Sequence, residues 1–374
     1  MTPKLLYLVT EDWYFLSHRL PMARAARAAG FEVHVATRVA EGRARIEAEG
    51  FVLHALDWGR RDLDPRRLVG PVQEVRALLA QLQPKVLHNI ALKPAIIGSL
   101  AATGRSGFGI VNSINGLGSA YLAKGLAGAL KRNVLRTALP MLLNWPRSRA
   151  IVQNPEDRAT LRALGVAEAR LRLVPGSGVD TDRLQPLPEP AGPVTIAYVG
   201  RMLADKGLHS LMAAHRLLRA RGLNIQLLLA GTPDPENPTS IAPEALAGWA
   251  REPGVEWLGH VTDVAAVWAR AHIAVLPSRR EGLPLSLLEA AACGRPMIAT
   301  DVPGCREVVR AGETGVLVPL ENASQLADAI AAMASDPAER ARMGAAARLR
   351  AEREFSVRVI TDHITELYCE LSDD

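Results

Sequence analysis

Short apolar runs of strand length alternate along the chain with stretches that have the spacing of amphipathic helices. This alternation predicts an α/β fold with parallel sheets, in which helices cover buried strands. The predicted strands of the first half are Leu5–Thr10, Glu32–Thr37, Val86–Ile90, Ile110–Asn115, Ala150–Gln153 and Leu171–Val174. Those of the second half are Thr195–Val199, Ile225–Ala230, Val255–Leu258, Ile273–Leu276 and Met297–Ala299.

A proline-rich segment separates the two halves. Residues 185–193 contain four prolines, which forbid a continuous helix or a central strand. The chain, with 374 residues, is also longer than one hydrophobic core usually supports. We therefore predict one domain over residues 1–185 and a second over residues 186–355. The last segment, about Ser356 to Glu370, has helical spacing.

Composition favours an enzyme of a reducing compartment. The three cysteines form no metal-binding pattern and leave one unpaired in any disulfide scheme. The opening MTPKLLYLVT is a short run followed by Glu11 and Asp12, so it is typical of a first strand rather than of a signal peptide. No apolar stretch reaches the length of a membrane span. We expect a cytoplasmic protein.

The positive charge is concentrated in the first half. Residues 1–180 hold 25 Lys and Arg against 14 Asp and Glu, whereas residues 181–374 hold 19 against 25. Residues 75–155 contain no acidic side chain and ten basic ones. Such a field attracts phosphates, whether of nucleic acid, of lipid headgroups or of a diphosphate substrate.

Two glutamates eight residues apart are the strongest candidates for function. Glu281 lies in the loop Glu281-Gly282-Leu283-Pro284, and Glu289 lies within a predicted helix over Leu285–Cys293 that Gly294 ends. Backbone N–H groups at the start of such a helix favour a phosphate, while nearby carboxylates suit the hydroxyls of a sugar or a ribose. The alternative is two solvated glutamates beside a core helix.

A basic element follows the strand Thr195–Val199. In Gly200-Arg201-Met202-Leu203-Ala204-Asp205-Lys206-Gly207, Arg201 can engage phosphate oxygens with two N–H groups and Lys206 can add a point charge. Ligands of open α/β sheets bind at the carboxyl ends of the strands. The element therefore predicts a diphosphate site there, against the alternative of two solvated cations.

The pattern S-x-x-E-G-x-P-x-x-x-L-E-A-x-x-C-G-x-P, which begins at Ser278, resembles the signature of retaining glycosyltransferases of family 4, and G-R-x-x-x-x-K-G resembles a second element of that family. The resemblance implies the GT-B fold, two Rossmann-like domains that face each other across a cleft, with the terminal helix crossing back to the first domain. It implies that Arg201 and Lys206 stabilise the leaving diphosphate, Glu281 orients the donor sugar and Glu289 binds the ribose. The donor-binding residues by this resemblance are Gly200, Gly259, His260, Val261, Gly282, Leu283, Pro284, Leu285 and Glu289.

Two other readings of the motifs are disfavoured. A Rossmann dehydrogenase needs a glycine-rich turn after its first strand, and Thr10 to Phe15 contains no glycine. The triplets Asp62-Leu63-Asp64 and Asp180-Thr181-Asp182 could bind a metal–diphosphate, but they lie in a polar loop and beside the linker. With Arg201 and Lys206 supplying positive charge, we expect no metal and no other cofactor.

The first half resembles a subgroup that extends polyprenyl-diphosphate-linked sugars, the PglA-like transferases, through Phe15–Pro21, Leu92-Lys93-Pro94 and residues 112–118. The usual glycine pair after the first strand is replaced by bulkier residues, and Asn115 stands where a histidine is expected. His18 either positions the reacting groups or caps a helix for structural reasons.

Between Gly118 and Pro146, apolar residues alternate with basic ones and no acids. This pattern is typical of an interfacial helix on an anionic membrane, and a core helix with solvated arginines is the alternative. Nucleic acid is disfavoured, because aromatics are only 4% of the chain and no nucleic-acid module is recognised.

The sequence thus predicts a retaining enzyme that moves a hexose or N-acetylhexosamine from a UDP-sugar to a polyprenyl-diphosphate-linked saccharide, docked peripherally on the inner face of the cytoplasmic membrane. A glycosyltransferase with a soluble acceptor is the second hypothesis. An inert GT-B scaffold is the third, disfavoured because Arg201, Lys206, Glu281 and Glu289 are all present.

Overall fold

The chain divides into two compact units, each built on its own parallel sheet. The computed structural model describes residues 2–59, 65–114 and 136–373. The first unit is Met1–Ser177 with Ile360–Asp374, and the second is Gly178–Val359. The predictions for Asp62, Asp64, Asn115 and residues 118–135 lie outside the described residues.

The first unit has a seven-stranded sheet in the order β3-β2-β1-β4-β5-β6-β7. All of its registered strand pairs are parallel. Its strands are β1 (Lys4–Glu11), β2 (Glu32–Arg38), β3 (Val52–Ala55), β4 (Val86–Ile90), β5 (Gly109–Ser113), β6 (Ser148–Val152) and β7 (Leu171–Leu173). Its helices before the terminal one are α1 (Asp12–His18), α2 (Leu20–Ala28), α3 (Arg43–Ala48), α4 (Pro65–Leu82), α5 (Leu92–Ala102), α6 (residues 136–143) and α7 (Pro155–Ala163).

The second unit has a six-stranded parallel sheet in the order β10-β9-β8-β11-β12-β13. Its strands are β8 (Thr195–Val199), β9 (Gln226–Ala230), β10 (Val255–Gly259), β11 (Ile273–Leu276), β12 (Met297–Thr300) and β13 (Gly315–Val318). The helices are α8 (Leu208–Ala220), α9 (Pro243–Trp249), α10 (Val264–Ala269), α11 (Leu285–Ala292), α12 (Pro303–Val308), α13 (Ala323–Ser335) and α14 (Pro337–Glu354). The terminal helix α15 (Val357–Asp373) follows.

The α/β fold class predicted from the alternating pattern is confirmed. Central strands such as Val86–Ile90 and Ile273–Leu276 are buried at every position, because helices cover both faces of a parallel sheet. Two strands were not predicted from the sequence, Val52–Ala55 and Gly315–Val318, which are four residues long and lie at the sheet edges. Both strands are short, and their edge positions leave them only partly buried, which weakens the pattern that marks a strand.

The second unit begins at Gly178, N-terminal to the predicted boundary at residue 186. Val179 donates its N–H to the carbonyl of Phe355 and accepts from the N–H of Val357. The proline-rich segment is also fastened to this unit, since Leu187 N–H donates to Cys293 O and Arg295 donates to Pro188 O. These prolines end regular structure without acting as a free linker.

The terminal helix completes the core of the first unit through buried apolar and polar contacts. Ile360, Ile364, Leu367 and Leu371 are buried with residues of β1, β2, β4 and β5. A buried hydrogen-bond chain joins Tyr7 Oη to Tyr368 Oη at 2.8 Å and Tyr368 Oη to His88 Nδ1 at 2.6 Å. Burial, with the charge of Arg19 adding to it, holds the pKa of His88 well below its usual range, so this imidazole is a neutral member of the chain.

The described end of the acid-free stretch is partly core. In α6, Leu139 and Leu143 are buried against Ala95, Ala150 and Val152, whereas Met141 is 77% exposed. Trp145 is half-buried. Among the described residues, no helix combines the length and the apolar character that crossing a membrane requires.

Candidate functional site

The predicted donor motifs of the second unit lie at the point where its strand order reverses. From β8 the chain adds β9 and β10 on one side and then crosses to β11 on the other. The loops after β8 and β11 therefore flank the switch point at the carboxyl edge of the sheet, which is where ligands of open α/β sheets bind. The loop after β8 carries Arg201 and Lys206, and the loop after β11 carries Glu281.

Lys206 and Glu281 form an ion pair between these two loops. Lys206 Nζ lies 2.6 Å from Glu281 Oε1, and the two side chains are 23% and 9% exposed. Lys206 ends a short 3-10 turn, Ala204–Lys206, which is closed by Gly207 in the left-handed region at φ 76°. A Cβ on Gly207 would lie 1.9 Å from the carbonyl oxygen of Pro277, so only glycine lets the two loops approach this closely.

Arg201 is held by Tyr198 of β8 and by Asp234 of the loop after β9. Its Nη1 donates to Asp234 Oδ2 at 2.7 Å, and its carbonyl accepts from the hydroxyl of buried Tyr198 at 2.7 Å. The Arg201 side chain is 43% exposed, so its remaining N–H donors can reach a ligand. Burial, together with the charge of Glu281, raises the pKa of Tyr198 well above its usual value, and this tyrosine stays a neutral donor.

The loop that carries Glu281 leads directly into α11. The helix begins at Leu285 and ends at Ala292, and Gly294 follows with φ 70° in a C-terminal cap. Pro284 stands at its N-cap with no side-chain cap, and Gly282 and Leu283 are half-buried ahead of it. The first turn leaves backbone N–H groups near the loop, where the helix dipole favours an anion.

Gly304, at the start of the helix that follows β12, packs directly against the loop that carries Glu281. A Cβ on Gly304, in α12, would lie 2.4 Å from Gly282 O and 2.6 Å from Glu281 O. The backbone of the Glu281 loop thus contacts the backbone of α12 directly, at a distance that leaves no room for a side chain at position 304. The position of the Glu281 carboxylate depends on this contact.

Glu289 lies on α11 and is half-buried. Burial raises the pKa of its carboxyl to about 7, although the charge of Arg183 acts in the opposite direction. A carboxyl with this pKa changes charge near neutral pH, so a ligand that hydrogen-bonds to it also shifts its protonation.

The predicted base-reading segment lies at the same edge of the sheet. Gly259 has φ 65° and accepts a hydrogen bond from Gly231 N–H at 2.7 Å, which joins the ends of β9 and β10. His260 is exposed and Val261 is half-buried against the core.

His18 belongs to the first unit, where it is the last residue of α1. Its Nδ1 lies 2.6 Å from Ser17 Oγ, and its ring stacks on Tyr14 with centroids 4.3 Å apart. Both contacts fix the orientation of the imidazole. They are compatible with either of the two roles considered from the sequence.

Sequence reasoning missed Asp234. Asp234 lies in the loop after β9, so the rule that placed Arg201 at a strand end would also have placed it at this edge. Asp180, in contrast, forms a turn, because its Oδ1 accepts from the N–H groups of Asp182 and Arg183. Across the described residues, no group of three His, Cys, Asp or Glu side chains is arranged to hold a metal ion.

Two family models match the chain, one in each unit. Residues 4–151 match a glycosyl transferase 4-like model, and residues 193–336 match the glycosyl transferases group 1 model. The chain is 32% identical over 173 residues to the capsular polysaccharide biosynthesis glycosyltransferase CapM of Staphylococcus aureus, a match that spans 46% of this chain and 45% of that relative.

Two further proteins are similar over almost the whole chain. One is the N,N'-diacetylbacillosaminyl-diphospho-undecaprenol alpha-1,3-N-acetylgalactosaminyltransferase of Campylobacter jejuni, 24% identical over 95% of this chain and 97% of that relative. The other is a crystal structure of Anabaena HepE in complex with UDP and glucose, with a TM-score of 0.76, 17% identity and coverage of 97% and 98% of the two chains.

The two sheets, the switch-point site and the two family models define the chain as a glycosyltransferase of the GT-B type. The GT-B assignment and the glycosyltransferase class inferred from the motifs are thus confirmed.

The packing of Gly304 generates a prediction. Gly304→Ala should lower transfer activity by about tenfold or more, because the added methyl must displace the carbonyls of Glu281 and Gly282 and small misplacements in a site are costly. Gly248→Ala is the matched control, since a Cβ there meets nothing within 4 Å and the residue is helical. Rates for both variants at equal folded concentration check this. Normal activity of Gly304→Ala would show that the loop tolerates displacement.

Proposed function

We propose that this protein is a retaining glycosyltransferase that moves a hexose or N-acetylhexosamine from a UDP-sugar to a polyprenyl-diphosphate-linked saccharide. One observation carries the donor half of the proposal: the Lys206–Glu281 pair and the partly exposed Arg201 converge beside the N-terminus of α11 at the switch point. Two cations and a helix N-terminus suit a diphosphate, and a carboxylate suits sugar hydroxyls.

In the proposed reaction the enzyme supplies no nucleophile. The acceptor hydroxyl attacks the anomeric carbon from the face on which the diphosphate leaves, as the bond from that carbon to the diphosphate oxygen breaks. The hydroxyl proton passes to the departing oxygen, and Arg201 and Lys206 stabilise its charge. Glu281 orients the donor sugar and positions Lys206, and Glu289 accepts hydrogen bonds from the ribose. No metal takes part in this mechanism.

The choice of UDP and of a lipid-linked acceptor rests on similarity. The solved HepE complex contains UDP and glucose, and the Campylobacter relative is named for transfer to a diphospho-undecaprenol substrate. We extend both properties to this chain as part of the proposal. A soluble acceptor is the second candidate, favoured by the burial of Leu139 and Leu143, which makes the described end of the acid-free stretch partly core.

The first test of the proposal removes the charges of the site. Arg201→Ala, Lys206→Ala and Glu281→Gln should each lower turnover with UDP-sugars by about a hundredfold or more, as loss of a transition-state partner does. The parent should keep its rate in excess EDTA. Arg216→Ala, which breaks an exposed ion pair with Glu252, is the control for loss of a cation. Undiminished transfer by Glu281→Gln would remove the assignment, and loss of the parent's rate in EDTA that manganese restores would contradict the metal-free mechanism.

The pKa of Glu289 gives the donor site a pH dependence. Because the carboxyl has a pKa of about 7, its ionised form dominates only above that pH, and this form is the better acceptor for ribose hydroxyls. UDP should therefore bind up to about tenfold more tightly at pH 8 than at pH 6. Calorimetric measurement of UDP affinity at both pH values, for the parent and for Glu289→Gln, checks this. Protonation of UDP itself affects both proteins equally, so the difference between them reports on residue 289. If the affinity for UDP changes equally with pH in the two proteins, Glu289 does not bind the ribose.

Peripheral docking on an anionic membrane is also proposed, through residues 118–146. The basic residues there include Lys131, Arg132 and exposed Arg136, each worth about 1 kcal/mol near such a surface. Sedimentation with anionic liposomes should be strong at low salt and weaken as salt rises. Lys131→Glu with Arg132→Glu should reduce it much more than Arg43→Glu with Arg45→Glu, which changes the net charge equally. Equal binding by the two double variants would favour a soluble acceptor.

A further inference from the structure

The segment that carries both cations of the site is held in place by the loop after β9. Residues 231–241, here called the strap, run beside Met202–Ala204. Met202 N–H donates to Thr232 O at 3.0 Å, Ala204 N–H donates to Thr239 O at 2.7 Å, and Ile241 N–H donates to Met202 O at 2.9 Å. The backbone between Arg201 and Lys206 is therefore fixed on one side by the strap.

The start of the strap is in direct contact with the glycine that precedes Arg201. Gly231 has φ 138°, and a Cβ on it would lie 1.9 Å from Gly200 O. Gly200 N–H in turn donates to Ala230 O at 2.9 Å. Any displacement of the strap is thus transmitted to the backbone next to Arg201.

Asp234 is the residue of the strap that reaches the site. Its carboxylate is 10% exposed and accepts from Arg201 Nη1 at 2.7 Å. Its own backbone is fixed at both polar groups, since its N–H donates to Ser240 Oγ at 3.0 Å and its carbonyl accepts from Asn237 N–H at 2.7 Å. A carboxylate held in this way is a rigid anchor for a flexible side chain.

An acidic partner on a phosphate-binding arginine can have two opposite effects. It can compete with the anion for the guanidinium, or it can fix one edge of the guanidinium so that the other N–H donors are already in place. Asp234 accepts from one nitrogen of the Arg201 guanidinium, Nη1. The Arg201 side chain is 43% exposed, so its other N–H donors can still reach a ligand. A side chain of this length also has large rotamer freedom, which an anchor removes before the ligand arrives.

We propose that Asp234 is a positioning residue that orients Arg201 for the diphosphate of the donor. This inference rests on the proposed function, in which Arg201 binds that group. Asp234 does not itself touch the substrate. Its effect on ligand binding passes entirely through Arg201, and this requirement separates it from a merely structural role.

The experiment is a double-mutant cycle on ligand affinity, measured by calorimetry with UDP and separately with inorganic pyrophosphate. Asp234→Ala should weaken binding of both probes by about tenfold. Asp234→Asn should recover most of the loss, because the amide oxygen can still accept from Arg201. In an Arg201→Ala background, Asp234→Ala should have no further effect. Ser240→Ala, which frees the backbone of Asp234, should give a smaller loss in the same direction.

Glu252→Ala is the matched control, since it removes a carboxylate that pairs with Arg216 on the surface of the same unit. The inference is overturned if Asp234→Ala binds the probes as tightly as the parent or more tightly. It is also overturned if Asp234→Ala weakens binding by the same factor in the parent and in the Arg201→Ala background. Thermal midpoints of all variants show whether each is folded. A parent that binds pyrophosphate and not UDP would count against the proposed donor, and the cycle with pyrophosphate would still decide the role of Asp234.

Discussion

The close approach of two backbone loops at the centre of the second sheet is the constraint on which the site depends. Gly207, after β8, packs against the carbonyl of Pro277, after β11, at a distance that excludes any side chain. This contact brings the Lys206 turn beside the loop that carries Glu281. A second contact of the same kind, between Gly304 and the Glu281 loop, fixes the other side. Lys206 and Glu281 can form their ion pair only because the two loops that carry them pack backbone against backbone, with no side chain between the loops.

The charges that meet there are balanced within the unit. Lys206 is paired with Glu281 and Arg201 with Asp234, so neither cation is without a counter-charge among the residues of the site. Isolated buried charges would be costly, and the carboxylate is the more buried member of each pair. The diphosphate of the proposed donor would therefore enter an arrangement in which each cation is already paired, and its affinity would depend on how far the fixed geometry favours the phosphate over the resident carboxylates.

Sequence alone predicted the elements that repeat a strong local pattern. The strands Val86–Ile90, Thr195–Val199 and Ile273–Leu276 have the predicted bounds, since each is a short, mainly apolar segment of strand length. Lys206 and Glu281 were chosen from motifs, and the fold brings them together. Asp234 was missed because aspartates are common in proline-containing loops and no local pattern marks this one. Its partner, Arg201, is 33 positions away in the chain. Contacts across strands are set by tertiary packing, which periodicity does not report.

The terminal helix has a consequence for synthesis of the chain. The first unit buries Ile360, Ile364, Leu367 and Leu371, and its Tyr7 and His88 share the hydroxyl of Tyr368. While the ribosome is still making the second unit, the first therefore lacks one wall of its core and exposes both apolar surface and unpaired polar groups. Domains often fold in order from the N-terminus as they emerge. Here the first unit can be completed only after the second has been made, so the nascent chain carries an incomplete core until residues 360–371 appear.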